Sequence, residues 1–376
     1  MKILITDIFL RKTFDVVNIL YQHYDKKDVL LLTEDLNVFN KLNCTLSYHS
    51  FNLFLLRKDK NFNTDLNQIL KNFPEEKVIY LPVEEDTTLL FYNFFSTENA
   101  PKNLLFLLPE KEVFEQSTDK ALLNVFCEEN KIPCPKFISA EAFENDAFQF
   151  PIIVKPKKGS GSKGIYYIDN LKELKGEKFD FEKNLLQERL PNSKNVEGGF
   201  FLCKDGEILS FYSHQRIRTF PESGGVTVFS KASEKQKIKD AGEQITKALN
   251  WNGLLMVEFI FDERDDIYKA IEINPRIWGS ILLSEYCGAN FLVKYIELCV
   301  GQSKIENSTI NDSNIRWIFP YDLFYFLKHP SNPFRFFSAK KDCCHINFTY
   351  SSLVRSLFFI LLNYFDFSKI FRLFKQ

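Results

Sequence analysis

Leu254-Leu-Met-Val-Glu258-Phe-Ile-Phe-Asp262-Glu-Arg-Asp-Asp266-Ile-Tyr-Lys-Ala-Ile-Glu272-Ile-Asn274-Pro-Arg276-Ile-Trp-Gly-Ser280 reads as two apolar strands joined by a charged turn, Asp262 to Asp266. With antiparallel pairing about a turn centred on Asp265, Glu258 falls opposite Glu272, and Asn274 follows two residues on, on the same face. Directly opposed like charges destabilise a sheet, and a buried carboxylate without a partner costs more. A bound cation removes both costs. Two carboxylates and an amide are an all-oxygen set that suits a hard cation such as magnesium, completed by water and phosphate. Arg276, two residues beyond Asn274, is placed to meet a phosphate or an acyl phosphate.

Outward from this stretch, the 376-residue chain is long enough for two or three domains with substantial cores. Lys plus Arg number 48 against 49 Asp plus Glu, a net charge of -1 that leaves no basic footprint for nucleic acid. The 40 Phe residues are expected mainly in cores. The eight cysteines lack C-x-x-C spacing and read as reduced core residues of a cytoplasmic protein, and the adjacent Cys343 and Cys344 read as loop residues. The apolar run at Lys2 to Thr6 is too short for a signal-peptide core.

Lys2 to Thr6, a helix over Arg11 to Tyr24, and Val29 to Thr33 form a βαβ unit. Strands at Leu53 to Leu56, Val78 to Leu81 and Leu104 to Leu108 complete a small parallel α/β domain ending near residue 112. The first turn, Thr6-Asp7-Ile8-Phe9, lacks G-x-G-x-x-G, which removes the main reason to read a dinucleotide site. Ser117, Thr118 and Asp119 are caps for a helix from Lys120 to about Asn130. A strand from Pro151 ends at Lys155-Pro156 and runs into Lys157-Lys-Gly159-Ser160-Gly161-Ser162-Lys-Gly164. Glycines, serines and lysines in that density fit a loop folded over phosphates, although the spacing is not that of a P-loop; a solvated hairpin is the plain alternative.

Further on, Leu185-Leu-Gln187-Glu188-Arg189-Leu190 is an apolar strand edge, and Val196 begins another strand that carries Glu197. Alternation along Gln215-Arg-Ile-Arg218 puts both arginines on one face. The loop Pro221 to Val226 reads as a turn able to close over a substrate, Glu234 to Leu249 as a helix, and Ser280 to Val300 as one more helix ended by Gly301.

The ordered set resembles the ATP-grasp superfamily, with surroundings like its carbamoyl-phosphate-synthase-like and carboxylate-amine ligase members, over roughly residues 1 to 305. That resemblance implies a fold of mixed α/β and α+β class, with a pre-ATP-grasp α/β domain over residues 1–112. A small ATP-binding lobe over 113–190 and a metal-bearing lobe over 191–306 follow, and a helical, Phe-rich basic extension fills 307–376. It implies that ATP phosphates meet Lys120 and Lys155 under the loop Gly159, Ser160, Gly161, Ser162 and Gly164. Gln187, Glu188, Arg189 and Leu190 would line the adenine, with Arg189 departing from the Lys usual there, and Glu197 would hold the ribose. Glu258, Glu272 and Asn274 would bind magnesium, or manganese in its place. Arg276 would stabilise the transferring phosphoryl group, and Arg218 would stand near the acceptor.

The chemistry implied is ADP-forming: a small carboxylate becomes an acyl phosphate and passes to an amine. Bicarbonate phosphorylation, as in carbamoyl-phosphate synthesis, is the alternative, and an inactive nucleotide-binding scaffold is a third reading. The expected partners are small-molecule substrates, with homo-oligomerisation open. Residues 335–376 hold seven Lys or Arg against two acids, so the extension either packs on protein or lies on a membrane surface. Apolar positions all round rather than on one stripe favour packing.

Overall fold

β2 (Val29–Thr33) is buried at every position, and β1 (Lys2–Ile5) at its last three. Strands apolar on both faces require cover on both sides, which a parallel sheet with crossover helices supplies. The computed structural model describes residues 1–8, 10–34, 52–97, 100–159, 164–174, 179–220, 225–233, 235–302, 310–317, 322, 325 and 345–346. The chain divides into two units, Met1–Leu107 with Arg276–Gln376, and Leu108–Pro275.

In the first unit, β1 and β2 join β3 (Leu53–Leu55), β4 (Val78–Tyr80) and β5 (Leu104–Leu105) in a parallel sheet of order β3-β2-β1-β4-β5. The helix Arg11–His23 is the crossover between β1 and β2. Asp7, in the first turn, has a left-handed φ of 56°, and its carboxylate accepts from Thr6 Oγ1 at 2.6 Å and Lys58 Nζ at 2.5 Å. The single helix expected over Ser280 to Val300 is two, Ile281–Tyr286 and Phe291–Cys299. Gly288 at φ 84° and Asn290 at φ 51° break the helical path between them.

The second unit holds two antiparallel sheets. The smaller has order β7-β6-β8, from β6 (Ile152–Pro156), β7 (Tyr166–Ile168) and β8 (Asn184–Glu188). Its core of Ile152, Val154, Ile168 and Leu186 is flanked by Phe143, stacked on Phe148 at 5.5 Å. The larger runs β13-β12-β9-β10-β11 through β9 (Val196–Lys204), β10 (Glu207–Phe220), β11 (Val226–Ala232), β12 (Gly253–Asp262) and β13 (Ile267–Asn274). Phe201, Val257, Phe259 and Trp251, all fully buried, pack there with Ile238 and Ile245 of the helix Gln236–Ala248.

The five described cysteines, Cys127, Cys134, Cys203, Cys287 and Cys299, are free thiols. Cys44, Cys343 and Cys344 lie outside the described residues, as do residues 160–163, 221–224 and most of the expected helical extension. Among the described residues no helix is long and apolar enough to cross a membrane.

Close approach of helix and sheet depends on Gly242, where an added Cβ would stand 2.1 Å from the Phe201 ring. Helix propensity alone makes Gly to Ala favourable by about 1 kcal/mol, whereas overpacking a core costs about 1–3 kcal/mol. Steric conflict with a ring held on both sides decides the sign. Gly242→Ala is therefore expected to lower the urea midpoint of the whole chain.

Candidate active site

Strand pairing sets the floor of the site. Glu258 lies directly across from Glu272, but by a different route from a plain hairpin. The strands leave the turn with Asp262 opposite Ile267, and they hold that register to Phe259 opposite Ala270. Continued, it would set Glu258 against Ile271. A bulge at Ile271 absorbs one residue and brings the two glutamates together. On the other side of β12, Glu258 faces Gly198 of β9.

Three cations converge on this pair. Lys120 begins the helix Lys120–Glu129, whose first turn is fixed by the Asp119 carboxylate accepting from Ala121 and Leu122 N–H groups. Lys120 Nζ donates to Gly159 O at 2.6 Å and stands 3.6 Å from Glu272 Oε2. Lys155, on β6 and 6% exposed, donates to Ile271 O, the carbonyl of the bulged residue, at 3.3 Å. Arg216, on β10, forms an ion pair with Glu258. Burial pulls the Lys155 amine down to about 8 against the opposing pull of Glu272 and Glu258. Burial, then the neighbouring Glu258, pushes the Glu272 carboxyl above its ordinary range, with Lys120 and Lys155 pulling it back.

These groups line an open cleft. Gln187, Glu188, Arg189 and Leu190 line it as expected, and so does Gly159, at φ 110°. Gly164, at φ 73°, closes the described part of the loop; Ser160, Gly161 and Ser162 lie outside the described residues. Ile153, Ile165, Tyr167, Val196 and Ile260 add apolar walls suited to a flat ring. Burial alone would raise the Glu188 carboxyl, but the Lys136 N–H at 3.0 Å, with Arg264 and Lys269, holds it below the usual range. The Arg189 guanidinium turns to Asp169, and its backbone N–H donates to Pro151 O at 2.9 Å.

Two expected residues stand elsewhere. Glu197 pairs in register with Phe259 while the next residue, Gly198, pairs with Glu258, so alternation places Glu197 on the opposite face of the sheet. There it is 6% exposed, accepting from Lys235 Nζ at 2.7 Å and Tyr268 Oη at 2.9 Å. The ribose role expected for it is withdrawn. Arg218 stands with its guanidinium 5.6 Å from the Phe229 ring centroid, and it is Arg216 and Thr219 of β10 that line the cleft. A register irregularity between Arg216 and Arg218 breaks the strict alternation that would put both on one face. Arg216 was therefore available to sequence reasoning as half of an arginine pair, and the bulge selects it.

Asn274 follows Glu272 by two residues on β13, 5% exposed and opposite Met256. Two carboxylates and an amide are hard oxygen donors and fit a divalent cation that keeps water and phosphate in its remaining positions. Arg276 belongs to the first unit, where Nε donates to Glu85 Oε1 at 3.0 Å.

An ATP-grasp domain family model matches residues 117–280. The chain is 24% identical over 210 residues to a carbamoyl-phosphate synthase of Methanobrevibacter smithii, covering 51% of this chain and 54% of that protein. It is 26% identical over 226 residues to a D-alanine–D-alanine ligase of Campylobacter lari, covering 55% and 64%. The chain thus spans about half, or less, of the length of several curated relatives that it matches. Among solved structures, N5-carboxyaminoimidazole synthetase from Staphylococcus aureus complexed with ADP superposes with a TM-score of 0.62 at 18% identity, over 88% of this chain and 86% of that one. The opposed glutamates, the converging lysines and the cleft lie within residues 117–280, the segment that matches the ATP-grasp domain family.

Proposed function

We propose that the protein is an ATP-dependent ligase that converts a small carboxylate to an acyl phosphate and passes it to an amine, releasing ADP and phosphate. The observation that carries this reading is the convergence of Lys120, Lys155 and Arg216 on the opposed Glu258 and Glu272. An ordinary hairpin has no use for two carboxylates brought together by a bulge. A nucleotide with its divalent cation supplies both counter-charges at once.

In this reading Lys120 and Lys155 turn from Gly159 O, Glu272 and Ile271 O to phosphate oxygens, under the Gly159 to Gly164 loop. Gln187, Glu188, Arg189 and Leu190, with the apolar walls, hold the adenine. Glu258, Glu272 and Asn274 are the ligands for magnesium, or manganese, which supplies charge neutralisation on the transferring phosphoryl group. Arg216, released from Glu258, orients the acid. Exclusion of water from the cleft protects that product from hydrolysis.

A second reading takes bicarbonate as the acid. It is favoured by the carbamoyl-phosphate synthase among the sequence relatives, as the D-alanine–D-alanine ligase favours the first.

Magnesium-dependent ADP release, stimulated by the correct acid and amine, is the expected activity. Glu272→Gln is expected to lower it by about a hundredfold, as loss of a metal contact does, and Arg216→Ala to lower kcat by about a hundredfold while ADP binding persists. Full turnover in Glu272→Gln contradicts the metal assignment. Lys155 carries its charge below about pH 8 and loses it above. ADP affinity is therefore expected to fall as pH rises through about 8, well below the ordinary lysine range, and Lys155→Met should flatten that profile.

A further inference from the structure

Asp262 follows Glu258 and Ile260 on β12 at steps of two residues, and alternation puts all three on the cleft face of the larger sheet. Lys269 of β13 pairs with Ile260 and shares that face. Asp262 is fully buried and Lys269 is 6% exposed, so each charge needs a protein partner. Lys269 Nζ lies 2.8 Å from Asp262 Oδ2, 3.1 Å from Asp265 Oδ2 and 3.4 Å from Glu188 Oε1. Arg264, in the turn between β12 and β13, donates from N and Nε to Asp262 Oδ1 at 3.1 and 2.8 Å, and from Nη2 to Asp262 Oδ2 at 2.7 Å. The same Nη2 donates to Glu188 Oε2 at 3.0 Å. A planar guanidinium, with its donors in a fixed fork, can serve two carboxylates at once, which a point-like ammonium does poorly.

Glu188 is the last residue of β8, in the run 187–190 that lines the cleft. Its N–H donates to Lys136 O at 3.0 Å, and its Oε1 accepts from Lys136 N at 3.0 Å. The segment that carries Lys136 is fastened in turn to β13, where Pro133 O accepts from Ala270 N at 2.9 Å. Two paths from the larger sheet, the turn and this segment, therefore meet on one carboxylate of the smaller sheet. The hydrogen bonds from Arg264, against burial, hold the Asp262 carboxyl well below its ordinary range, which keeps the anchor charged.

We propose that Arg264 is a positioning residue for the nucleotide: anchored on Asp262, it holds Glu188 and so sets the 187–190 edge against the strands that carry Glu258 and Glu272, a role that rests on reading the cleft as the nucleotide site. Arg264 is not among the residues that line the cleft, so its influence passes through Glu188. Glu188 in this arrangement spends its charge on joining the two sheets.

The test uses the full chain with Arg264→Met, Arg264→Lys, Glu188→Gln and the double variant Arg264→Met/Glu188→Gln. Arg264 is 49% exposed at its side chain, so the fold survives its loss and a moderate effect is expected. By calorimetry, Arg264→Met should weaken ADP and adenosine alike by about fivefold, while magnesium still tightens ADP as in wild type. In turnover, KM for ATP should rise with kcat unchanged, and Arg264→Lys should recover part of the loss. In the Glu188→Gln background, Arg264→Met should add less than about twofold, because the two residues act as one. Unchanged ADP and adenosine affinity in Arg264→Met, or effects that multiply in the double variant, overturns the assignment. Loss of magnesium tightening together with adenosine binding also overturns it, since general loosening and not the edge would then be the cause. Hydrogen exchange of the 187–190 amides without nucleotide separates the two readings: faster exchange in Arg264→Met is expected, and equal exchange overturns the tie. Wild type that binds no ADP overturns the nucleotide reading and leaves the exchange measurement to decide whether Arg264 holds the edge.

Discussion

Like-charge repulsion between Glu258 and Glu272 is the constraint to which the rest of the second unit answers. Paired residues on neighbouring strands stand about 5 Å apart at Cβ, and a low-dielectric cleft strengthens every charge interaction there. Arg216 answers Glu258, Lys120 answers Glu272, and Lys155 takes the carbonyl exposed by the bulge. Each of these cations comes from a different element: β10, a capped helix and the central strand of the smaller sheet. Removing the repulsion would remove the reason for all three to meet.

The same contacts describe a site held ready by its own side chains. Without a ligand the cations serve the carboxylates. A phosphate chain accompanied by a divalent cation offers each group a better partner, anion for the lysines and cation for the glutamates, with little new charge to bury. The protonation balance is poised accordingly, with Lys155 drawn down to about 8 and Glu272 drawn up by the burial that a bound ligand would compensate.

Much of this was legible in the residues. Val29-Leu-Leu-Leu-Thr33 could only be an interior parallel strand, Asp119 could be recognised as a cap, and Glu258 with Glu272 could be matched across a turn. What escaped had one physical cause, the loss of simple alternation. The bulge at Ile271 made the pairing correct although the turn is one residue out of step, and the irregularity after Arg216 separated two arginines that period-2 reading kept together. Glu197 was misassigned by resemblance, although its neighbour in the ladder, Gly198, already fixed its face. The left-handed Gly288 and Asn290, which split one expected helix into two, leave only a weak trace in composition.

The most direct measurement of the central claim is the magnesium dependence of ADP binding by calorimetry, in the full chain and in Glu272→Gln. Binding of cation and nucleotide at one site is reciprocal, so magnesium must tighten ADP in the wild type, and that tightening must be largely lost in Glu272→Gln while ADP still binds alone. Equal tightening by magnesium in both proteins would contradict the account, because the opposed glutamates would then have no part in holding the cation.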